Sequence, residues 1–176
     1  MTIVPVQYDP TVLATGEVDG YMAYITNEPI LIKSKGYEPT TFLFADYGLP
    51  FVAETFVVLQ DSIDKNREKV KALLKAEIQG WRDAVAAPAQ SADLAVNQFG
   101  KDAGLNLTEQ TAEATAQNAL IVSDDTKKNG LFTMTDALIA ENIDALGKVG
   151  VKVTAKQLFD LSLLAEVYAE NPSLKA

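Results

Sequence analysis

Tyr24, Asn27 and Glu28, followed further along by Asp46, Tyr47 and Glu54, are the side chains of this sequence best suited to chemistry on a small molecule. A phenol ring stacks on the face of a planar ligand, a carboxamide donates and accepts together, and a carboxylate accepts from an amine. Tyr24, Asn27 and Glu28 fall where an apolar run gives way to a helix signal at Pro29. Open α/β sheets collect ligands at such junctions, because side chains and free helix amides converge there. A plainer reading stands beside it: Asn27 caps the helix, Glu28 offsets its dipole, and Tyr24 packs in the core. Asp46 and Tyr47 lie in the turn Asp46-Tyr47-Gly48-Leu49-Pro50, where a turn aspartate and a half-exposed aromatic would explain them equally well. Glu54, just past that turn, is a candidate for the same ligand-facing role.

Much chemistry is ruled out by composition. The 176 residues contain no His and no Cys, which removes thiolate nucleophiles, Cys/His zinc sites and imidazole acid–base catalysis. No catalytic residue, metal site or cofactor is expected. Fifteen Lys and Arg against 24 Asp and Glu leave a net charge of −9, so nucleic acid and anionic membranes are repelled. An apolar content of 48% is enough for a globular core. No run approaches the length of a membrane span, and the opening residues lack the basic and apolar regions of an export signal.

The elements that would position the candidates read as β-α-β-α over the first part of the chain. Thr2 to Tyr8 is expected as a buried strand, Asp9-Pro10 opens a helix that Gly16 ends, and Val18 to Ile25 is a second strand. Asn27-Glu28-Pro29 then starts a helix that Gly36 terminates. Thr40 to Phe44 and Glu54 to Leu59 are two further strand candidates, with the Gly48 turn between them as the best boundary. From Asn66 the pattern becomes helical: Val70, Leu73, Leu74, Ile78, Trp81 and Val85 recur at three- and four-residue intervals up to Pro88, which places Trp81 in the core. Helices are also expected over Ala89 to Phe99, Glu109 to Leu120, from the cap Thr135, and over Ala155 to Tyr168 behind a Thr154/Gln157 capping box. Strands crowd the beginning and helices the rest, which is the pattern of part of an α/β fold with a helix-rich C-terminal half.

The turns Gly16-Glu17-Val18-Asp19-Gly20, Tyr24-Ile25-Thr26-Asn27-Glu28-Pro29 and Ala45-Asp46-Tyr47-Gly48-Leu49-Pro50, the long helix Asp64 to Ala76 with Gly80-Trp81, and the late turn Gly130-Leu131-Phe132-Thr133-Met134-Thr135 carry a resemblance. Together they resemble the solute-binding proteins of ABC importers, of the type II periplasmic-binding-protein fold, in the branch for thiamine-pyrimidine precursors, riboflavin and sulfonates. The resemblance implies two α/β lobes, with residues 1–47 as the end of lobe two, 48–53 as a crossover hinge and 54–176 as the closing part of lobe one. It further implies a missing N-terminal half or a swapped copy, a permease partner in the membrane, a small-molecule ligand, and a periplasmic or extracellular, membrane-anchored location whose native signal this chain does not carry.

Under that resemblance Tyr24, Asn27, Glu28, Asp46, Tyr47 and Glu54 would line an interlobe cleft. Glu17, Asp19, Glu28 and Asp46 make the region acidic, and Arg67 and Arg82, the only arginines, read as helix residues with solvated neighbours. An anion would be repelled there, whereas an aminopyrimidine offers an amino donor to a carboxylate and a flat face to Tyr. A thiamine-pyrimidine precursor therefore ranks ahead of riboflavin or a sulfonate. Asp19 is read as a turn residue. Two other classes remain: a thiamine-pyrimidine biosynthesis enzyme of the same fold, which would consume a His that this chain lacks, and a protein-interaction domain without a transport role.

Overall fold

Residues 1–175 are described by the structure, a computed structural model. The helices are α1 (Thr11–Ala14), α2 (Glu28–Ser34), α3 (Gln60–Lys65), α4 (Arg67–Ala86), α5 (Pro88–Asp93), α6 (Leu107–Ile121), α7 (Asp124–Asn129), α8 (Asp136–Lys148), α9 (Ala155–Leu158) and α10 (Ser162–Glu170). Short 3-10 turns lie at Phe44–Tyr47 and Pro172–Lys175, and α5 runs on into a π turn at Leu94–Phe99. Two compact units result: unit 1 comprises Met1–Phe42 and Ala84–Ala119, unit 2 Leu43–Asp83 and Leu120–Ala176.

Unit 2 is organised by α4. Its apolar stripe has the expected register, with Ile78 fully buried and Leu74 packed beside it, and α10 lays Leu164, Val167 and Tyr168 against the same core. Leu174 from the last turn and Phe132 complete the cluster. Trp81 is half-buried, at the margin of that stripe. The Tyr168 hydroxyl donates to the Leu131 carbonyl at 2.9 Å. Gly130 makes this approach possible: its φ is +104°, and a Cβ there would stand 2.3 Å from the Tyr168 ring. Burial pushes the Tyr168 phenol up to about 12.

Ion pairs tie the same two helices. Arg67 forks onto Glu166, with Nε 3.1 and 3.2 Å from its two oxygens, and also reaches Ser162 Oγ at 2.9 Å. The Lys71 side chain, only 7% exposed, is held by Glu170, by Glu68 at 3.2 Å and by Glu166 at 3.5 Å. Arg82 Nη1 donates to the Ser173 carbonyl at 3.1 Å. Both arginines therefore have partners in the fold, Arg67 on α10 and Arg82 in the last 3-10 turn, while their neighbours Asn66, Glu68, Lys69 and Asp83 are exposed.

In unit 1, α1 is a single turn whose Thr11 amide is met by Asp9 Oδ1 at 3.0 Å, and Lys35 Nζ bonds the same carboxylate at 3.1 Å. These bonds, the Thr11 hydroxyl foremost, hold Asp9 down to about 2. Ser34 Oγ donates to Glu109 across to α6 at 2.8 Å, and Asn118 Nδ2 to the Val85 carbonyl at 3.3 Å.

The expected α/β class is met only in its helix-rich part. Among the described residues none of the expected strands forms: Thr2 to Tyr8, Val18 to Ile25, Thr40 to Phe44 and Glu54 to Leu59 enter no ladder. Thr2 to Tyr8 exchanges no backbone hydrogen bond with other backbone, and instead Tyr21 Oη donates to the Gln7 carbonyl at 2.7 Å. Apolar alternation records a preference for extended backbone, but a strand exists only when a neighbour supplies the other half of each hydrogen bond. Without that neighbour Ile3 is 85% exposed.

Candidate functional site

The first set of candidates lies in unit 1, around the start of α2. Pro29 in the first turn suits helix initiation, since its missing N–H costs nothing there. The expected cap is corrected by the geometry. Asn27, at φ −126° and ψ −85°, makes no side-chain capping bond. Glu28 turns back instead, and its Oε2 accepts from the Tyr24 backbone N–H at 2.8 Å. This bond, with Asn27 N–H donating to the Tyr24 carbonyl at 3.0 Å, closes the turn 24–28. Glu28 is buried and also places its charge at the positive end of α2. Tyr24 is 62% exposed, so it is a surface aromatic and not a core residue. Tyr24 and Glu28 are thus brought together, with the ring left available and the carboxylate engaged by backbone.

The second set lies in unit 2. Asp46 and Tyr47 occupy the 3-10 turn Phe44–Tyr47, closed by Gly48 in the left-handed conformation at φ +79°. Leu49 N–H donates back to the Phe44 carbonyl at 3.0 Å, which fixes the exit of the turn. Tyr47 is 77% exposed and Asp46 is exposed beside it. Glu54 is also exposed, on a left-handed backbone at φ +57°. Phe51 meets Phe44 edge-on at 6.5 Å between ring centres, and Phe56 meets Phe132 at 5.5 Å.

Sequence reasoning missed Asn142, the only buried carboxamide among the described residues. From α8 its Oδ1 accepts from the Val52 N–H at 3.2 Å, and its Nδ2 donates to the Leu138 carbonyl at 2.8 Å. The signal was an Asn on the apolar face of a helix carrying Leu138 and Ala145, where a polar group is kept only if hydrogen-bonded. Among the described residues no group of His, Cys, Asp and Glu could hold a metal ion.

The family model described as NMT1/THI5 like matches residues 1–91, more than half of the chain. The chain belongs to the NMT1/THI5-like family. This is a family of ABC solute-binding proteins of the type II periplasmic-binding-protein fold, as the turns of the sequence implied. All six candidates, Tyr24, Asn27, Glu28, Asp46, Tyr47 and Glu54, lie inside the matched residues, whereas Asn142 and the closing helices lie beyond them. No curated protein and no solved structure matches the chain. Members of the NMT1/THI5-like family serve mostly as binding proteins, in roles related to solute binding or to the thiamine pyrimidine, and typically outside the cytoplasm. Among the described residues no helix is long and apolar enough to cross a membrane.

Proposed function

We propose that this chain is the substrate-binding component of an ABC importer and captures a small heteroaromatic solute, a thiamine-pyrimidine precursor, without catalysing a reaction. The observation that carries the proposal is the match to the NMT1/THI5-like family over the residues that hold both candidate sets. In this reading residues 1–47 close lobe two, 48–53 form the crossover hinge and 54–176 complete lobe one, and the protein works outside the cytoplasm with a membrane permease as partner. In unit 1 Tyr24 offers a ring for stacking on a flat solute; in unit 2 Tyr47 offers the same, and Asp46 and Glu54 offer acceptors for an amino group. Asn27 supplies a carboxamide, and Glu28 shapes the turn that carries Tyr24.

Exposure of both tyrosine rings supports stacking, since neither is spent on the core. The second reading, a thiamine-pyrimidine biosynthesis enzyme of the same fold, would consume a protein His, and this chain supplies none.

Titration calorimetry with hydroxymethyl aminopyrimidine, the pyrimidine precursor of thiamine, tests the proposal. Asn27→Ala combined with Tyr47→Ala is expected to weaken binding by about tenfold or more, as loss of a stacking ring and a hydrogen bond implies. The unfolding midpoint should stay within the range of ordinary surface substitutions. The test is made in the complete two-lobed protein: unchanged affinity in its double variant would remove these residues from the site, and no binding by the two-lobed parent would remove the solute.

A further inference from the structure

We infer that Asn142 is a positioning residue: from α8 it holds the segment that runs between the two left-handed corners Gly48 and Glu54, and so sets where Asp46 and Tyr47 stand with respect to Glu54. The inference rests on the proposed reading of these three residues as solute contacts.

Three observations within unit 2 carry it. Residues 50–53 make no backbone-to-backbone hydrogen bond among the described residues, so no ladder or helix fixes them. The residues at either end are left-handed, φ +79° at Gly48 and φ +57° at Glu54, and the stretch between them is left to be placed by other contacts. The Asn142 carboxamide then meets the middle of that stretch, accepting from Val52 N–H at 3.2 Å.

The carboxamide has one satisfactory orientation. Val52 offers a donor and Leu138 an acceptor, so a flipped amide would set NH2 against N–H and oxygen against oxygen. The bond to Leu138, one helical turn back, therefore locks the side chain in the orientation that grips Val52. With only 8% of its surface exposed, Asn142 meets little competition from water for either bond.

The test combines amide hydrogen exchange in the 176-residue chain with solute titration of the two-lobed protein. Asn142→Leu keeps the branched shape and loses the acceptor; the Val52 amide should lose about tenfold of its protection, the scale of one hydrogen bond, while the amides of Ile78 and Val167 keep theirs. Asn142→Asp keeps an acceptor for Val52 but sets its second oxygen against the Leu138 carbonyl, so it should retain only part of that protection. Affinity for hydroxymethyl aminopyrimidine should fall by roughly threefold or more in Asn142→Leu and by less in Asn142→Asp, in proportion to the Val52 amide.

Unchanged Val52 protection in Asn142→Leu overturns the inference, as does equal loss in both variants. Lost protection with full solute affinity overturns it too, because the segment would then have no part in binding. Should Asn142→Leu unfold, Asn142→Ala decides in its place: lost Val52 protection with Ile78 and Val167 still protected supports the grip, and kept Val52 protection refutes it. If the two-lobed parent protein binds no aminopyrimidine, the solute proposal fails by itself, and the Val52 amide still decides for or against Asn142.

Discussion

Unit 2 packs Ile78, Leu164, Val167, Tyr168 and Leu174 into one cluster, whereas the buried residues of unit 1, such as Pro10, Ile32 and Ala92, join no such cluster. The difference follows from the kind of element each holds. A helix satisfies its own backbone, so α4 and α10 needed only matching apolar faces to form a core. The strand-prone segments of unit 1 cannot do this, because their backbone groups and side chains are buried only when a ladder is built beside them. Ile3, Val4, Val6 and Met22 are exposed as a result. Equal hydrophobicity thus yields a core in one place and a bare extended segment in the other.

Two glycine substitutions should separate the units most sharply. Gly130→Ala adds a methyl that cannot coexist with the Tyr168 ring, on backbone with φ +104°. It should cost about 3 kcal/mol or more, the range for overpacking combined with left-handed strain. Gly36→Ala in unit 1 has a similar φ of +87° but nothing within 4 Å, so it should cost only about 1 kcal/mol. Urea unfolding followed by circular dichroism measures both, and equal losses would mean that the contact with Tyr168 is not what makes Gly130 special.

Acid should act next, through the helix clasp of unit 2. The Arg67 fork holds Glu166 below the ordinary glutamate range, and hydrogen bonds from Ser162 do the same for Asp160. Depressed carboxyls contribute stability that is present above the unfolded pKa values and lost as pH falls through the folded ones. The α10 amides should therefore lose exchange protection as pH drops below about 4, the unfolded carboxylate range. Arg67→Met should flatten that profile, and a profile unaltered by the substitution would exclude the fork as its cause.

Alkali should have the smallest effect, through Tyr168. Its folded pKa of about 12 lies above the ordinary value of 10.0, so its contribution is complete below the unfolded pKa and is lost as pH rises toward the folded one. Tyr168→Phe should remove this alkaline loss while costing about 1 kcal/mol at neutral pH for the hydrogen bond to Leu131. Retention of the alkaline transition in that variant would assign it to another group.

The helices were legible because their signals are local. The Val70 to Val85 spacing placed α4, Thr135 caps α8 with its side chain accepting from Leu138 N–H at 3.1 Å, and the Thr154/Gln157 box opens α9. The expected helix Ala155 to Tyr168 is instead divided, because Asp160 takes the Ser162 amide at 2.9 Å and starts α10 anew. An Asp two residues before an apolar run was a readable cap that the periodicity hid. Strands could not be read in the same way, since half of each lies elsewhere by definition. At the candidate site the residue types were visible but not their bonds: sequence offered Asn27 as the cap, and only geometry shows Glu28 reaching back to Tyr24. Asn142 could be read as a polar residue on the apolar face of α8, but its partner Val52, distant in sequence, could not.

Trp81, half-buried on α4 within unit 2, is the only tryptophan of the chain. Its position turns the asymmetry of the molecule into an optical one. Indole emission reports on the environment of a single site in unit 2, whereas the far-ultraviolet helix signal sums over both units. A fluorescence melt and a dichroism melt recorded on the same sample follow different parts of this protein, and the gap between their midpoints measures how far the two units melt independently.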